Sequence, residues 1–278
     1  MRAETRQGHR RLVLGGGVLG LFAAAALLAG WIAPYDPRHV PSTLTQTMLQ
    51  PPGAAHPFGT DALGRDLLSR VLWGGRVSLA IGIGVEIVAA LIGVGIGVVS
   101  GYYGRWSDAV LMRFTDVVMA FPSLILAIGL IAVFERPGLD KVALVLVALG
   151  WTTIGRVTRG EVLSLRERDY VEAARALGAG DARLIARHLL PNLMGPVIVT
   201  ATIGVGSNMV AEAGLSFLGL GAQAPTISWG ALLADGQTFL VSAPWVAVFP
   251  GLALLLVVLG INILGDGLRD IFDPRLRQ

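Results

Sequence analysis

Residue types that perform covalent chemistry are scarce in this sequence of 278 residues. Cysteine is absent, which excludes a thiol nucleophile, a disulfide and a cysteine-ligated metal site. The one lysine, Lys141, follows an aspartate, so the Gly-Lys pair of a Walker A phosphate-binding loop is missing. The four histidines lie in separate segments, and neither His-Glu-x-x-His nor Gly-x-Ser-x-Gly occurs. The sequence therefore predicts no catalytic, metal or nucleotide site.

Two acidic residues interrupt long apolar segments, where an ionisable side chain is costly and usually functional. Glu86 is the one charged residue between Val77 and Ser100. Three roles are open for Glu86: it lines a pathway between the helices, pairs with an arginine of a partner chain, or stays protonated at a helix interface. Glu212 follows an uncharged segment, and with Ser216 it is predicted to line the outer mouth of such a pathway. A simple interfacial carboxylate is the alternative for Glu212.

Six apolar segments must position these side chains. Hydrophobic residues make up 54% of the chain and charged residues 15%, which excludes an ordinary water-soluble domain. A helix needs about 20 apolar residues to cross a bilayer. The sequence therefore predicts an all-α integral membrane protein with six transmembrane helices. The predicted spans are Leu12–Ala33, Val77–Ser100, Val117–Phe134, Val142–Gly155 with a continuation past Arg156, Asn192–Ala211 and Trp245–Gly265.

The positions of lysine and arginine predict the orientation of these spans. With six spans, 16 of the 22 basic residues fall on the side that holds both termini, and six fall on the other side. Because basic loops stay in the cytoplasm, both termini are predicted to be cytoplasmic, the arrangement called N-in/C-in. This topology accounts for the pI of about 9.8, and no nucleic-acid partner is expected.

Two patterns predict how the spans contact one another. Gly93, Gly97 and Gly101 recur at a spacing of four residues, which lets two helices approach closely in lipid. A pore-lining role for the same glycine surface is the alternative. Asp108 and Asp116 lie just before the third span and are expected to pair with arginines of the next cytoplasmic loop.

The chain divides into two regions around an outer loop. Residues 1–76 hold the N-terminal tail, the first span and this outer loop, and residues 77–278 form a core of five helices. The second half of the outer loop, His56–Leu79, is predicted to form an amphipathic helix at the membrane surface, a passive elbow before the chain enters the bilayer. Its apolar side consists of Leu63, Leu67, Leu68, Val71 and Leu72, and its polar side of Arg65, Asp66, Ser69 and Arg70.

The segment 156–191 is predicted to lie in the cytoplasm and to contain a short helix. Asp169 and Glu172 have the spacing of a capping box, and Gly178 suits the position just after a helix. One side of this helix is apolar and shallow, a pattern that favours a docking partner. Packing against its own spans is the alternative. The apolar side consists of Tyr170, Ala173, Ala174 and Leu177.

Three segments of the sequence match one known pattern. The first reads Glu172-Ala173-Ala174, then Gly178, then His188-Leu189-Leu190-Pro191. Its spacing resembles the EAA loop of permease subunits of binding-protein-dependent ABC importers. His188 replaces the isoleucine of the general pattern, which is typical of the dipeptide, oligopeptide and nickel branch. The segments Gly59–Leu79 and Glu212–Gly221, the latter followed by Ser228-Trp229-Gly230, are similar to that branch's shorter, second permease subunit.

The resemblance implies a type I ABC importer permease fold in the bacterial plasma (inner) membrane. It implies a homologous second permease subunit, two cytoplasmic ATPase subunits and an extracytoplasmic substrate-binding protein as partners. ATP and magnesium would bind to the ATPase subunits, so this chain would bind no cofactor and would not be an enzyme. Its EAA helix would be the coupling helix that contacts the ATPase. The residues assigned to this contact are Tyr170, Glu172, Ala173, Ala174, Leu177, Gly178, His188 and Pro191.

Peptides are the predicted substrate class of this importer. A soft or borderline metal favours histidine or methionine ligands, and no cluster of these residues lines the predicted spans. Nickel or another small solute is the alternative within the same branch. An ion-coupled secondary transporter is a remoter alternative, because such proteins carry several buried acidic or histidine relays.

Overall fold

The computed structural model describes residues 2–42 and 47–272, with the backbone alone for residues 2–7. Arg275 and Arg277, two of the basic residues that predict the orientation, lie outside the described residues. The regular secondary structure of the described part is helical, apart from one isolated bridge between Thr60 and Asp66. Its α-helices are α1 (Arg2–Leu27), α2 (Ala29–Ile32), α3 (Leu67–Tyr103), α4 (Arg105–Met119), α5 (Ser123–Ile131), α6 (Leu139–Leu165), α7 (Asp169–Ala176), α8 (Asp181–Leu184), α9 (Leu190–Phe217), α10 (Trp229–Gln237) and α11 (Trp245–Phe272).

Over the part of the chain that the structure describes, five long helices confirm five of the six predicted spans, and most of them extend beyond the apolar segments. A π-helical turn, Ile185–Leu189, joins α8 to α9. Within the described residues, five helices are long and apolar enough to cross a bilayer, and the pair α4 and α5 makes a sixth if the two are one bent span. The fourth span continues past Arg156 to Leu165, as the sequence predicts. The fifth continues to Phe217, so Glu212 lies inside its helix.

The third span is broken rather than straight. Helices α4 and α5 meet at an angle of 88°. Pro122 lies at this break, and proline lacks an N–H group and disfavours the helical conformation at the residue before it. The prediction of a continuous span over Val117–Phe134 is therefore wrong.

The predicted elbow helix of the outer loop is not a separate element. Helix α3 runs without interruption over 37 residues, so its first turns are the residues assigned to the elbow. Asp66 caps this helix, and its side chain accepts a bond from the backbone N–H of Ser69 over 2.8 Å. Asp66, Ser69 and Arg70 are buried, whereas the elbow prediction placed them on a polar, solvated side. The difference arises because residues 47–66 fold back over the start of α3.

Helices α3 and α6 pack closely through the predicted glycine surface. A Cβ atom at Gly93 would lie 2.7 Å from the carbonyl oxygen of Trp151, and one at Gly97 would lie 2.6 Å from that of Gly155. Side chains at these positions would force the helices apart, so the predicted close approach is confirmed.

Ion pairs join α4 to α6, as the sequence predicts. Arg159 donates to both carboxylate oxygens of Asp108, over 2.5 and 2.6 Å. The hydroxyl of Ser100 donates to the same carboxylate over 2.5 Å. Asp116 pairs with Arg156 one helical turn away on α6. These contacts fix the bent segment α4 against the two packed helices.

Candidate functional site

The N-terminus of α7 is formed by the backbone and not by the predicted capping box. The carbonyl oxygen of Arg168 accepts the N–H groups of Val171 and Glu172, over 2.9 and 3.1 Å. Arg168 is therefore the N-cap residue, and no side chain caps this end. The interpretation of Asp169 as the N-cap, with Glu172 as its partner, is wrong by one residue.

The C-terminus of α7 confirms the predicted role of Gly178. This glycine has a φ of +85°, a left-handed conformation in which a Cβ atom is strained. The N–H of Gly178 donates to the carbonyl oxygen of Arg175, and that of Ala179 donates to Ala174, each over 3.0 Å. This pair of bonds is a Schellman motif, which ends the helix and turns the chain toward α8.

One residue anchors α7 to the rest of the chain. Val171 is fully buried and belongs to a cluster with Ile154 and Val162 of α6 and with Leu184 and Leu189. Ala174 packs against the same cluster and is half-buried. Sequence reasoning missed Val171 because it grouped the residues of α7 by one apolar side and did not identify which residue faces the chain's own core.

The remaining surface of α7 is open. The side chain of Leu177 is 90% exposed and that of Tyr170 is 43% exposed. Glu172, Ala173 and Gly178 are also exposed. Leu177 thus exposes an apolar side chain at the end of a short helix whose one buried residue is Val171. Such an exposed apolar surface is suited to contact with another protein.

The structure places His188 beside Tyr170 of α7. His188 lies in the π-helical turn, and its ring centroid is 6.4 Å from that of Tyr170. Its carbonyl oxygen accepts a bond from the amide of Asn192 over 2.6 Å. Pro191 is exposed near the start of α9. Of the predicted contact residues, the structure thus brings His188 next to Tyr170, and the contact of the whole set with an ATPase stays a prediction.

A large cavity of about 1090 Å³ lies between α3, α6, α9 and the α4–α5 break. Most of its lining is apolar. Glu86 lines it and is 5% exposed, and its carboxylate accepts a bond from the amide of Asn208 over 2.7 Å. Among the described residues, no three His, Cys, Asp or Glu side chains are arranged to hold a metal ion. The other polar lining residues are Ser123, Thr152, Thr153, Thr200, Ser207 and Asn262.

Glu212 and Ser216 do not line this cavity. Glu212 is fully buried, and one of its oxygens accepts the hydroxyls of Ser216 over 2.7 Å and Ser228 over 2.9 Å. Ser228 also caps α10 by accepting the N–H of Ala231. The prediction that Glu212 and Ser216 line an outer mouth, and its interfacial alternative, are both wrong, because the carboxylate joins α9 to the start of α10 inside the chain.

Comparisons with known proteins agree with the geometry. The family described as binding-protein-dependent transport system inner membrane component matches residues 93–278. The N-terminal TM domain of oligopeptide transport permease C matches residues 8–52. The dipeptide transport system permease protein DppC of Alkalihalophilus pseudofirmus is 41% identical, over 94% of this chain and 86% of its own length. The glutathione transport system permease protein GsiD of Escherichia coli O6:K15:H31 is 42% identical, over 92% and 84%.

A solved structure shares the fold. A chain of the MetNI methionine ABC transporter in an inward-facing conformation superposes with a TM-score of 0.59 at 18% identity. The superposition covers 73% of this chain and 96% of that one. The expected permease fold is therefore confirmed.

Proposed function

This chain belongs to the family of binding-protein-dependent transport system inner membrane components, and from that premise we propose that it forms half of the membrane pathway of an ATP-driven peptide importer. It is a multi-pass protein of the inner membrane. The observation that carries the proposal is α7, which one buried valine attaches to the helical core while its other surface stays open.

Peptides are the proposed substrate class. The relatives are named for dipeptide and for glutathione, which is a tripeptide. A cavity of about 1090 Å³ is slightly larger than the roughly 300–1,000 Å³ that small-ligand sites occupy. Its apolar walls and few amide and hydroxyl groups suit a ligand that has both a polar backbone and apolar side chains.

Helix α7 is the proposed contact with the ATPase. Its exposed residues would enter the ATPase surface, and Val171 would pass the resulting displacement to α6 and α9 through the buried cluster. ATP and magnesium would bind to the two ATPase subunits, and this chain would contribute no catalytic group. The proposed contact residues are Tyr170, Glu172, Ala173, Ala174, Leu177, Gly178, His188 and Pro191.

The distribution of arginine supports the orientation of the assembly. With both termini in the cytoplasm, α7 faces the ATPase subunits. Residues 47–66 and α10 then face the substrate-binding protein outside. A homologous second permease subunit would complete the pathway on the open side of the cavity.

Reconstitution tests the proposal. We expect this chain in vesicles with its paired permease, ATPase and binding protein to take up labelled Ala-Phe only when ATP is supplied on the α7 side. This chain alone should neither transport the dipeptide nor hydrolyse ATP. Uptake by this chain alone, driven by a proton gradient, would contradict an importer subunit. Uptake of Ni²⁺ in place of Ala-Phe would contradict the peptide substrate.

The effect of Ala173→Glu separates coupling from folding. Ala173 is exposed on α7, so an added charge there should leave the helical core intact. We expect the variant to reach the membrane at the wild-type level but to lose the ATPase subunits on purification. Glu161→Gln, a charge change at a half-buried position of α6, is the control and should retain them.

A further inference from the structure

Glu86 lies deep in the membrane-spanning part of α3. It follows Arg76 by ten residues, which is about 15 Å along the helix at a rise of about 1.5 Å per residue. That distance is about half of the hydrocarbon thickness of roughly 30 Å. An ionisable side chain at this depth is expensive to keep and usually marks a function.

Two residues of α9, Asn208 and Gly204, lie against the Glu86 carboxyl group. Asn208 of α9 donates its amide N–H to one carboxylate oxygen over 2.7 Å. Gly204, one turn before Asn208, lies so close that an added Cβ atom would overlap the carboxyl carbon and both oxygens. A side chain at this position would therefore displace the carboxyl group from its place between α3 and α9.

No opposite charge accompanies Glu86. It is the one titratable residue that lines the cavity. Arg156 and Arg159, in the second half of α6, are paired with Asp116 and Asp108. In the described parts of the chain, no ion pair includes Glu86. One amide N–H occupies only one of the about four acceptor positions of a carboxylate, so the remaining positions can accept the N–H donors of a bound cation.

We propose that the Glu86 carboxylate is a cation-binding subsite of the cavity and receives the ammonium group of a transported peptide. The ligand class rests on the proposed function, whereas the cation site rests on the geometry alone. An ammonium carries three N–H donors, and oxygens of Thr152 and Asn262 line the same cavity as further acceptors. Exposed side chains of Met119 and Phe121 line its apolar part and suit the side chains of a peptide.

The absence of cysteine provides a direct assay. Ser207→Cys introduces a single thiol at an exposed residue that lines the cavity. The complete transporter carrying this variant is placed in nanodiscs, and labelling of the thiol by N-ethylmaleimide is followed with Ala-Phe or N-acetyl-Ala-Phe present. A bound peptide shields the thiol, so the concentration that halves the labelling rate measures binding in the cavity.

The charge of Glu86 is then varied in the same background. Glu86→Gln keeps an acceptor for Asn208 and removes the negative charge. We expect it to raise the half-protection concentration of Ala-Phe about tenfold, the loss typical of one charge-assisted hydrogen bond. It should leave that of N-acetyl-Ala-Phe unchanged. Glu86→Asp should give an intermediate value for Ala-Phe.

Any of three results would overturn the subsite. Ala-Phe would fail to protect the thiol of the Ser207→Cys protein, Glu86→Gln would leave the half-protection concentration of Ala-Phe unchanged, or Glu86→Gln would change the half-protection concentrations of both peptides equally. Loss of the paired permease subunit from purified Glu86→Gln transporter would assign the carboxylate to a basic residue of that subunit instead. Ser242→Cys, in the exposed loop after α10, is the matched control, and its labelling should not respond to either peptide.

A simple amine separates this inference from the proposed function. 2-Phenylethylamine carries the ammonium and 2-phenylethanol does not. Protection of the thiol by the amine alone, lost in Glu86→Gln, would support the cation site even if the complete transporter took up no peptide. Uptake of peptide without any dependence on Glu86 would support the proposed function and reject the subsite.

Discussion

The two ends of α3 lie in regions that differ in how far their side chains are buried and paired within this chain. At its start lies the Asp61 end, residues 47–70 and 228–245, where charged side chains are buried and paired within the chain. At its other end lies the Asp169 end, residues 169–191, where Tyr102 of α3 donates to Asp181 over 2.6 Å. In α7 only Val171 is buried, and Leu177 is almost fully exposed. At the Asp61 end, the buried charged side chains are paired with other residues of this chain. At the Asp169 end, α7 presents an exposed surface that we propose the ATPase covers.

The Asp61 end shows what a self-contained polar site requires. Asp61 is 2% exposed, and its carboxylate accepts the backbone N–H groups of Leu63 and Arg65 over 2.8 and 2.9 Å. The Arg65 side chain adds a bond of 2.7 Å, and Arg70 pairs with the same oxygen. Because Asp61 and Arg70 are both buried, removal of either side chain leaves the other as a buried charge without compensation.

The largest loss of stability is expected from Asp61→Ala. This change leaves Arg70 buried without its main partner, which typically costs about 3–5 kcal/mol. Thermal unfolding of the purified transporter in detergent measures the effect. Asp235→Ala is the control, since Asp235 is 49% exposed and lies 3.4 Å from Arg70. Its expected cost is below about 1 kcal/mol. Equal destabilisation by the two variants would remove the contrast between a buried and an exposed partner.

A smaller loss is expected from Val171→Ala at the other end. The change removes two methyl groups from a closed cluster, at a cost of about 2 kcal/mol. Hydrogen exchange of α7 should increase, and peptide taken up per ATP hydrolysed should fall while the ATPase stays bound. Tyr170→Ala is the matched variant on the open surface. It should leave hydrogen exchange unchanged and weaken ATPase retention, and the reverse pattern would contradict the division between anchor and contact.

Gly178→Val should have a still smaller effect on stability. A β-branched side chain at a φ of +85° costs about 1–2 kcal/mol, which is confined to the end of α7. The melting temperature of the core should therefore change little, while ATPase binding falls. Gly178→Asn tests the cause, since asparagine tolerates the left-handed conformation and should restore binding. Weak binding in both variants would indicate that side-chain volume matters rather than backbone conformation.

Local patterns predicted the features that depend on neighbouring residues. Hydropathy identified five of the six spans, spacing indicated that Gly93 and Gly97 contact another helix, and Gly178 was recognised as the residue that ends α7. Each of these signals lies within one stretch of about 20 residues or fewer.

Features that depend on distant segments could not be predicted in this way. Arg70 was read as solvated because its burial depends on how the loop that holds its main partner Asp61 folds and on Asp235, which is 165 residues away. Val171 carries no signal of burial, since its neighbours come from α6 and α8. Glu212 was placed at an outer mouth because the cap residue Ser228, which donates to its carboxylate, belongs to a later helix. In each case the environment is set by packing between helices, which no single stretch of sequence records.

Cross-linking from the two ends tests the central claim most directly. The chain has no cysteine, so Leu177→Cys and Ser242→Cys each provide one thiol for a benzophenone maleimide. Leu177 lies at the Asp169 end and Ser242 at the Asp61 end. Illumination of the complete transporter should join the ATPase subunit to this chain through position 177 and not through position 242. Adducts of the ATPase at position 242, or none at position 177, would contradict the proposal that α7 couples this chain to ATP hydrolysis.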